Sequence, residues 1–327
     1  MYTPQKNNNK PRLHMTTLNL EQLNQQFAIN KDNHLLFKTG KGDIPVVEIK
    51  NEHASAIISM QGAHVLSWIP AGEEEVIWLS EDAKFAPGKS VRGGIPICWP
   101  WFGAHESTPS FPAHGFARTV YWQVLSTEAL EDGSTRITFT TQPLPENEQM
   151  WPPQTNVQYQ VTIGAKLEME LITHNEGSEE ITIGQALHTY FSVGDINEVL
   201  VHGLDDTSYL DKLENFKRKH QNGPVEIEGE VDRIYLDTIT DCVIDDRKLN
   251  REIVIVKCGS RSTVVWNPWR ETAAKMGDLG EDGYKKMICV ESCNASDDVA
   301  VIPPGKAHHL WVQYSVQHKI EQLHRSR

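Results

Sequence analysis

The chain has 327 residues, 39% of them hydrophobic and 8% aromatic, and its formal net charge at pH 7 is -13. This composition is typical of a globular protein with a substantial core, and it argues against nucleic acid as a partner, because nucleic-acid binding needs a basic surface. No stretch approaches the roughly 18 consecutive apolar residues of a membrane helix, so no membrane partner is expected.

The five cysteines occur without CxxC spacing. Cys98, Cys242 and Cys289 lie in apolar, strand-like segments, where a free thiol behaves as a small hydrophobic group. Reduced, buried thiols fit a reducing compartment, so we expect a cytoplasmic protein. The spacing of Cys289 and Cys293 leaves a redox role open as the weaker alternative. We also expect a monomer or a weak oligomer.

The chain opens on a polar segment with three consecutive asparagines between Lys6 and Lys10, so we expect residues 1–17 to be a disordered leader. Residues 18–327 contain no linker-like composition and no internal repeat, which predicts a single domain. Weak helical periodicity predicts short helices over residues 18–27 and near residues 211–219.

Alternation of apolar and polar residues dominates the remainder of the chain. It is clearest over residues 136–140, 157–163, 167–172 and 180–183, and Gly, Asp and Asn clusters separate the alternating segments. Many such strands with few helices predict an all-β protein, in the form of a large antiparallel β-sandwich with two sheets.

A stretch from Phe85 to Arg118 departs from this alternation, since it is rich in glycine, proline and aromatic residues. This composition is typical of a binding loop. Lys89, Arg92 and Arg118 lie in or beside the stretch, and such cations are suited to binding phosphate. The Gly93-Gly94 pair would let the backbone approach a ligand closely. The alternative is that Arg92 pairs with a carboxylate and that Lys89 is only solvated.

Two titratable residues interrupt apolar segments further along the chain. His188 follows Ala186-Leu187, and Glu291 follows Cys289-Val290. An unpaired polar group costs several kcal/mol when it is buried, so each is either satisfied by a partner or kept for a function. A base and an acid without a redox group nearby indicate proton transfer, whereas a satisfied core histidine is the alternative for His188.

Other chemistries have weaker signals. HExxH and CxxC are absent, so a metal site at His188 or His114 is not expected. No GxSxG motif supports a serine nucleophile. Two carboxylates, Asp195 and Glu291, leave a glycosidase-type pair open.

Six short segments together make the chain resemble the D-hexose-6-phosphate mutarotases, or glucose-6-phosphate 1-epimerases, of the galactose-mutarotase-like superfamily. The resemblance runs from about residue 35 to 315 and rests on residues 91–96 (VRGGIP), 114–118 (HGFAR), 187–191 (LHTYF), 194–196 (GDI), 264–269 (VVWNPW) and 289–291 (CVE). It implies a β-supersandwich that uses no cofactor and no metal. Beyond Glu291, the run Ser292-Cys293-Asn294-Ala295 departs from the familiar pattern but leaves the glutamate in place.

The resemblance also implies roles for individual residues. His188 would be the general acid and Glu291 the general base. The residues that would line the sugar site or meet the phosphate are Lys89, Arg92, His114, Arg118 and Asp195. Glu291 would take the proton of the anomeric hydroxyl while His188 protonates the ring oxygen, so that the ring opens and recloses on either face. With His188 protonated and Glu291 ionised together, a bell-shaped pH profile is expected.

The expected activity is therefore the interconversion of the α and β anomers of a hexose 6-phosphate. Three alternatives stay open at this point. They are an epimerase for unphosphorylated aldoses, a non-catalytic sugar-binding sandwich, and a sugar-processing lyase or hydrolase on a related fold.

Overall fold

Antiparallel strands make up most of the computed structural model, which describes residues 19–31 and 34–318. The leader expected over residues 1–17 lies outside the described residues. Two α-helices occur in the described part, α1 (Leu20–Phe27) and α2 (Trp269–Met276). None of the described helices has the length and apolar character that crossing a membrane would require.

The described residues form 23 strands. In chain order they are β1 (Leu35–Thr39), β2 (Pro45–Lys50), β3 (Ala54–Ser59), β4 (His64–Pro70), β5 (Ile97–Cys98), β6 (Gln123–Ala129), β7 (Thr135–Thr141), β8 (Thr155–Ile163), β9 (Leu167–Asn175), β10 (Ile181–Ile183), β11 (Gln185–Leu187), β12 (Tyr190–Ser192), β13 (Val199–His202), β14 (Ser208–Asp211), β15 (Lys217–His220), β16 (Val225–Glu226), β17 (Val231–Leu236), β18 (Cys242–Asp246), β19 (Arg251–Cys258), β20 (Ser262–Asn267), β21 (Met287–Asn294), β22 (Ala300–Ile302) and β23 (Ala307–His318).

These strands form two large sheets and two small ones. The eight-stranded sheet has the order β15-β14-β17-β20-β21-β11-β5, with β12 also paired to β21. The nine-stranded sheet has the order β16-β13-β18-β19-β23-β9-β8-β7-β6. A four-stranded sheet, β1-β2-β3-β4, and the β10-β22 pair complete the architecture. The predicted all-β antiparallel sandwich is confirmed, and the strands predicted from alternation correspond to β7, β8, β9 and β10.

The main core lies between the two large sheets. Ile288 and Val290 of β21 belong to the same buried cluster as Leu310 and Val312 of β23. Because successive side chains of a strand point to opposite faces, the residues between them on β21 face away from this core. Cys289 indeed belongs to a separate, smaller cluster on the other side of the sheet.

The two helix predictions had different outcomes. The first is confirmed, since α1 occupies most of residues 18–27. The second is wrong, because β14 ends at Asp211 and only a single 3₁₀ turn, Lys212–Glu214, precedes β15. Asn215 and Phe216 have φ angles of 54° and 59°, which no right-handed helix accommodates. The chain therefore reverses as a hairpin, and the Asp211 carboxylate accepts a hydrogen bond from Leu213 N.

Candidate active site

A cavity of about 290 Å³ lies on the face of the eight-stranded sheet that points away from the main core. Val264 and Trp266 of β20 form part of its floor. In the sheet register Val264 lies opposite Glu291, and Trp266 lies opposite both Cys289 and Asp232. The volume is near the lower end of the roughly 300–1,000 Å³ found for small-molecule sites.

His188 and Glu291, predicted from sequence as acid and base, face each other in this cavity. Glu291 stands within β21, while His188 occupies the short break between β11 and β12, where its backbone N–H donates to Pro96 O. The distance from His188 Nε2 to Glu291 Oε1 is 3.3 Å. The side chains are 12% and 1% exposed, respectively, so the pair lies at the base of the cavity.

Burial acts on the two groups in opposite directions. It raises the pKa of the Glu291 carboxyl well above its ordinary value, with Asp232 adding to the rise and Lys212 opposing it. It lowers the pKa of His188 well below its ordinary value, and the neighbouring cation Arg118 lowers it further. Both effects disfavour charge, so burial favours a neutral imidazole beside a protonated carboxyl over the expected ion pair. The two forms differ only in where one proton lies.

Three buried polar atoms at this site have no hydrogen-bond partner. They are His188 Nδ1, Glu291 Oε2 and Asp232 Oδ1. Buried polar atoms are satisfied in the great majority of cases, and those left over are concentrated where a ligand or a reaction uses them. This arrangement therefore indicates a site prepared for hydroxyl-bearing ligands.

His114, also predicted from sequence, lines the cavity beside His188. Its ring centroid is 5.8 Å from that of His188. Burial and the nearby Arg118 lower its pKa to about 3, and its Nδ1 accepts a hydrogen bond from Gly103 N at 3.3 Å. A neutral imidazole that accepts at Nδ1 carries its proton on Nε2. His114 can therefore donate a hydrogen bond to a ligand oxygen.

The predicted cations separate into two groups. Arg92 and Arg118 line the cavity, whereas Lys89 does not, and its side chain is exposed. Arg92 donates to Asp278 Oδ1 and to Tyr190 Oη, both at 3.1 Å, as the carboxylate alternative anticipated. Arg118 donates to Ala113 O at 3.0 Å, and none of the described carboxylates forms an ion pair with it.

Asp195 does not line the cavity either. Its carboxylate accepts hydrogen bonds from the backbone N–H and side-chain amide of Asn197, so it caps the 3₁₀ turn Ile196–Glu198. The role of Asp195 as a sugar ligand stays a prediction without geometric support, and so does that of Lys89. The alternative of a carboxylate pair made by Asp195 and Glu291 loses its support for the same reason.

The glycine pair serves a different purpose from the one expected. Gly93 and Gly94 have φ angles of 102° and 72°. A Cβ on Gly93 would lie 2.6 Å from Trp78 O, and one on Gly94 would lie 2.3 Å from His64 Nε2. The missing side chains thus allow close packing within the protein, which holds the preceding residue Arg92 over the cavity.

Three charged residues of the cavity were not predicted from the sequence: Asp278, which accepts from Arg92, and the pair formed by Asp232 and Lys212. Asp232 of β17 and Lys212 form an ion pair with an Nζ–Oδ2 distance of 2.7 Å, and both line the cavity. Burial raises the pKa of Asp232, while Lys212 opposes the rise. The sequence signal for Asp232 was an acidic residue inside the strand-like segment Val231–Leu236. No sequence motif connects Asp232 to Lys212, because Lys212 was part of the helix that was wrongly predicted near residues 211–219.

The fold and the site together define the class of protein: an antiparallel β-supersandwich that places a buried acid–base pair and hydrogen-bonding groups around a small-molecule cavity. A family model described as "Aldose 1-epimerase" matches residues 45–315. The chain therefore belongs to the aldose 1-epimerase family and is an isomerase.

Individual relatives agree with this assignment. The chain is 38% identical to a protein of Escherichia coli (strain K12) named "Putative glucose-6-phosphate 1-epimerase", over 81% of this chain and 88% of the relative. A protein of the same name from Cenchrus ciliaris is 34% identical over 82% of this chain and 83% of the relative.

Solved structures show the same fold. The crystal structure of a protein from Salmonella typhimurium, titled "a putative mutarotase", superimposes with a TM-score of 0.82 at 33% identity, covering 91% of this chain and 99% of that one. A galactose mutarotase-like protein from Clostridium acetobutylicum has a TM-score of 0.68 at 15% identity, covering 87% and 98% of the two chains, which shows the fold alone.

A glycine next to His114 provides a test of how the site is held. Gly115 has a φ of 69°, and a Cβ there would lie 1.9 Å from Trp99 O. Gly103 has a φ of 78°, but a Cβ there would meet nothing within 4 Å. Gly103→Ala should cost only the roughly 1–2 kcal/mol of a left-handed alanine. Gly115→Ala should cost at least about twice that, because backbone must move.

Chemical denaturation of the two variants measures the difference in their free energies of unfolding. Equal losses would show that the contact between Gly115 and the Trp99 carbonyl does not constrain the segment that carries His114.

Proposed function

We propose that this isomerase interconverts the α and β anomers of a hexose 6-phosphate, with glucose 6-phosphate as the first substrate to test. The observation that carries the proposal is the 3.3 Å approach of His188 Nε2 to Glu291 Oε1 at the base of a cavity that also holds Arg92 and Arg118. The names of the relatives described above support the phosphate, and cofactor-free proton transfer suits a ring opening that already occurs unaided in water.

The reaction needs two proton transfers in each direction. Glu291 removes the proton of the anomeric hydroxyl while His188 donates a proton to the ring oxygen, and the C1–O5 bond breaks to give the open-chain aldehyde. Rotation about C1–C2 presents the other face of the carbonyl. The C5 hydroxyl then attacks C1, returns its proton to His188, and the new anomeric oxygen takes the proton back from Glu291.

Substrate binding supplies the protonation state that this sequence requires. Burial alone favours the shared proton on Glu291, because it raises the pKa of the carboxyl and lowers that of His188. A sugar hydroxyl that donates to Glu291 stabilises the carboxylate, and a phosphate dianion nearby stabilises the imidazolium. The open-chain intermediate corresponds to the neutral pair, which the buried site favours.

The remaining cavity residues would orient the substrate. Asp232 has an unpartnered Oδ1 that can accept from a sugar hydroxyl, and neutral His114 can donate from Nε2. Arg118, which no described carboxylate neutralises, is the strongest candidate for the phosphate, with Arg92 beside it. Trp266 and Tyr190 offer apolar surface for the C–H groups of the ring.

The first test replaces the catalytic groups. Glu291→Gln and His188→Asn should each lower the rate of anomer exchange by about 10²- to 10⁴-fold, the usual contribution of a positioned acid or base. A His–Glu pair on the surface provides the control. The distance from His309 Nδ1 to Glu170 Oε1 is 2.8 Å, and the His309 side chain is 52% exposed and that of Glu170 is 28% exposed. His309→Asn and Glu170→Gln should leave the rate unchanged.

NMR exchange spectroscopy on equilibrated glucose 6-phosphate measures these rates directly. A wild-type protein that accelerates exchange of neither glucose 6-phosphate nor glucose would refute the proposed activity. Equal acceleration of both sugars would remove the role of the phosphate.

The second test is the pH dependence of kcat/KM. The working pair carries one transferable proton, so activity is lost at low pH when a second proton is added and at high pH when the first is removed. Burial lowers the pKa of His188 well below its ordinary value of 6.5, so the loss of activity at low pH should begin well below pH 6.5. Burial raises the pKa of Glu291 well above its ordinary value of 4.5, so the loss of activity at high pH should begin well above pH 4.5. The profile should be a bell with a broad plateau.

The phosphate of the substrate titrates with a pKa of about 6, so its own curve must be measured by ³¹P NMR and divided out. A corrected profile with only one limb would contradict a shared-proton pair.

The third test concerns the phosphate. Arg118→Met should raise KM for glucose 6-phosphate by about 10- to 100-fold, since hydrogen bonds to a charged group contribute about 1.5–3 kcal/mol, and should change kcat little. Arg92→Ala should also raise KM mainly, but it additionally frees Asp278 and Tyr190. Arg261→Met is the control, because Arg261 is exposed and pairs only with exposed Asp237 on the surface. An unchanged KM for Arg118→Met would refute its contact with phosphate.

A further inference from the structure

One side chain beside the catalytic pair has no part in the proposed reaction. Cys289 lies on the same face of β21 as Glu291, two residues earlier, and is 0% exposed. A nitrogen of His188, the Cys289 sulfur and a carboxylate oxygen of Glu291 all lie within 4.8 Å of one another. Together they present a nitrogen, a sulfur and an oxygen donor to one point.

We propose that His188, Cys289 and Glu291 form a binding site for a borderline transition-metal ion, Zn²⁺ foremost, and that the bound ion inhibits the enzyme. The binding part stands on the donor geometry alone. The inhibition rests on the proposed function, because it requires that His188 and Glu291 move the protons of the reaction.

The spacing of the donors fits a tetrahedral ion. Zn–N and Zn–O bonds of about 2.0–2.2 Å at tetrahedral angles place the two ligand atoms about 3.3 Å apart. The His188 Nε2–Glu291 Oε1 distance is 3.3 Å. A Zn–S bond of about 2.3 Å needs the sulfur about 3.6 Å from each of these atoms. The three donor atoms lie within 4.8 Å of one another, so the sulfur must approach by at most about 1.2 Å. Rotation of the Cys289 side chain can supply this movement.

The chemistry of the three donors selects the class of ion. Imidazole, thiolate and carboxylate together suit Zn²⁺ and its neighbours in the first transition series, whereas Mg²⁺ and Ca²⁺ prefer sites made of oxygens. A thiolate, a carboxylate and a divalent cation sum to zero charge, which a buried site tolerates.

An entry route from solvent supports the same conclusion. His188 and Glu291 both line the cavity, which gives an ion access from solvent. Three protein ligands leave the fourth tetrahedral position for water or a substrate hydroxyl.

An ion at this position removes both proton carriers from the reaction. Metal coordination occupies the lone pairs through which His188 and Glu291 accept protons, so neither can serve as acid or base. The predicted effect is reversible inhibition that a chelator relieves. Glucose 6-phosphate should oppose it, because the sugar needs the same two side chains.

The binding test uses Co²⁺ as a spectroscopic substitute for Zn²⁺ and does not depend on activity. Metal-free protein titrated with Co²⁺ should develop the thiolate-to-cobalt charge-transfer absorption of a cysteine-ligated ion. Cys289→Ala and Cys289→Ser should both lose this band with unchanged near-UV circular dichroism. Cys258→Ser is the control and should keep the band, because Cys258 is the exposed free thiol.

The inhibition test measures anomer exchange with increasing Zn²⁺. Wild type should be inhibited, Mg²⁺ should have no effect, and Cys289→Ala should need at least about 10-fold more Zn²⁺, since even outer-shell changes at metal sites cost 10- to 100-fold in affinity. Cys258→Ser should behave as wild type.

The outcomes separate the two proposals. If the enzyme is active but shows no cobalt band, the metal site is overturned and the epimerase proposal stays intact. The same holds if the band is lost with Cys258→Ser and kept with Cys289→Ala. A cobalt band that depends on Cys289, in a protein that exchanges no sugar anomers, supports the metal site and overturns the epimerase proposal. Activation by Zn²⁺ would overturn the inhibitory role.

Discussion

The structure depends on holding an imidazole and a carboxyl group together out of water. Glu291 is 1% exposed and His188 is 12% exposed, so either charge alone would be costly, whereas the pair with one shared proton is electrically neutral. A second proton on the pair, or loss of the last one, would leave a net charge in the buried site, so burial disfavours both of these states. Under the proposed function, ring opening uses the single-proton pair between them, and the 3.3 Å approach keeps both groups within reach of one sugar.

The sandwich makes this burial possible without weakening the main core. On β21 the apolar side chains of Ile288 and Val290 face the nine-stranded sheet, and the intervening position leaves Glu291 on the opposite face. That face is covered by loops, whose conformations are less regular. His114 itself has a φ of 66°, so left-handed backbone holds this cavity-lining imidazole in position. Glu291 thus lies on a strand of the sheet, whereas His188 lies in the break between β11 and β12 and His114 lies in a loop.

Sequence reasoning recovered the parts of this arrangement that local patterns encode. Alternation predicted the strands and the sandwich, and a polar residue in an apolar strand identified both His188 and Glu291. Sequence reasoning failed where a property depends on residues that are distant in the chain. Asp232 of β17 forms its ion pair with Lys212 in the turn after β14. Gly93 allows close packing against Trp78 and does not serve a ligand. The segment after β14 was predicted as a helix from its weak helical periodicity, but it forms a hairpin. The left-handed φ angles of Asn215 and Phe216 that make this turn have no clear signal in the sequence.

The charge distribution explains how an acidic protein can receive an anionic sugar. Two of the three cations that line the cavity are already neutralised, Arg92 by Asp278 and Lys212 by Asp232. The pair of His188 and Glu291 with one proton is neutral, so the excess positive charge of the cavity is that of Arg118. A local positive potential at the cavity attracts a phosphate group even though the protein as a whole has a net charge of -13. Under the proposed function, Arg118 would draw the anionic sugar toward His188 and Glu291.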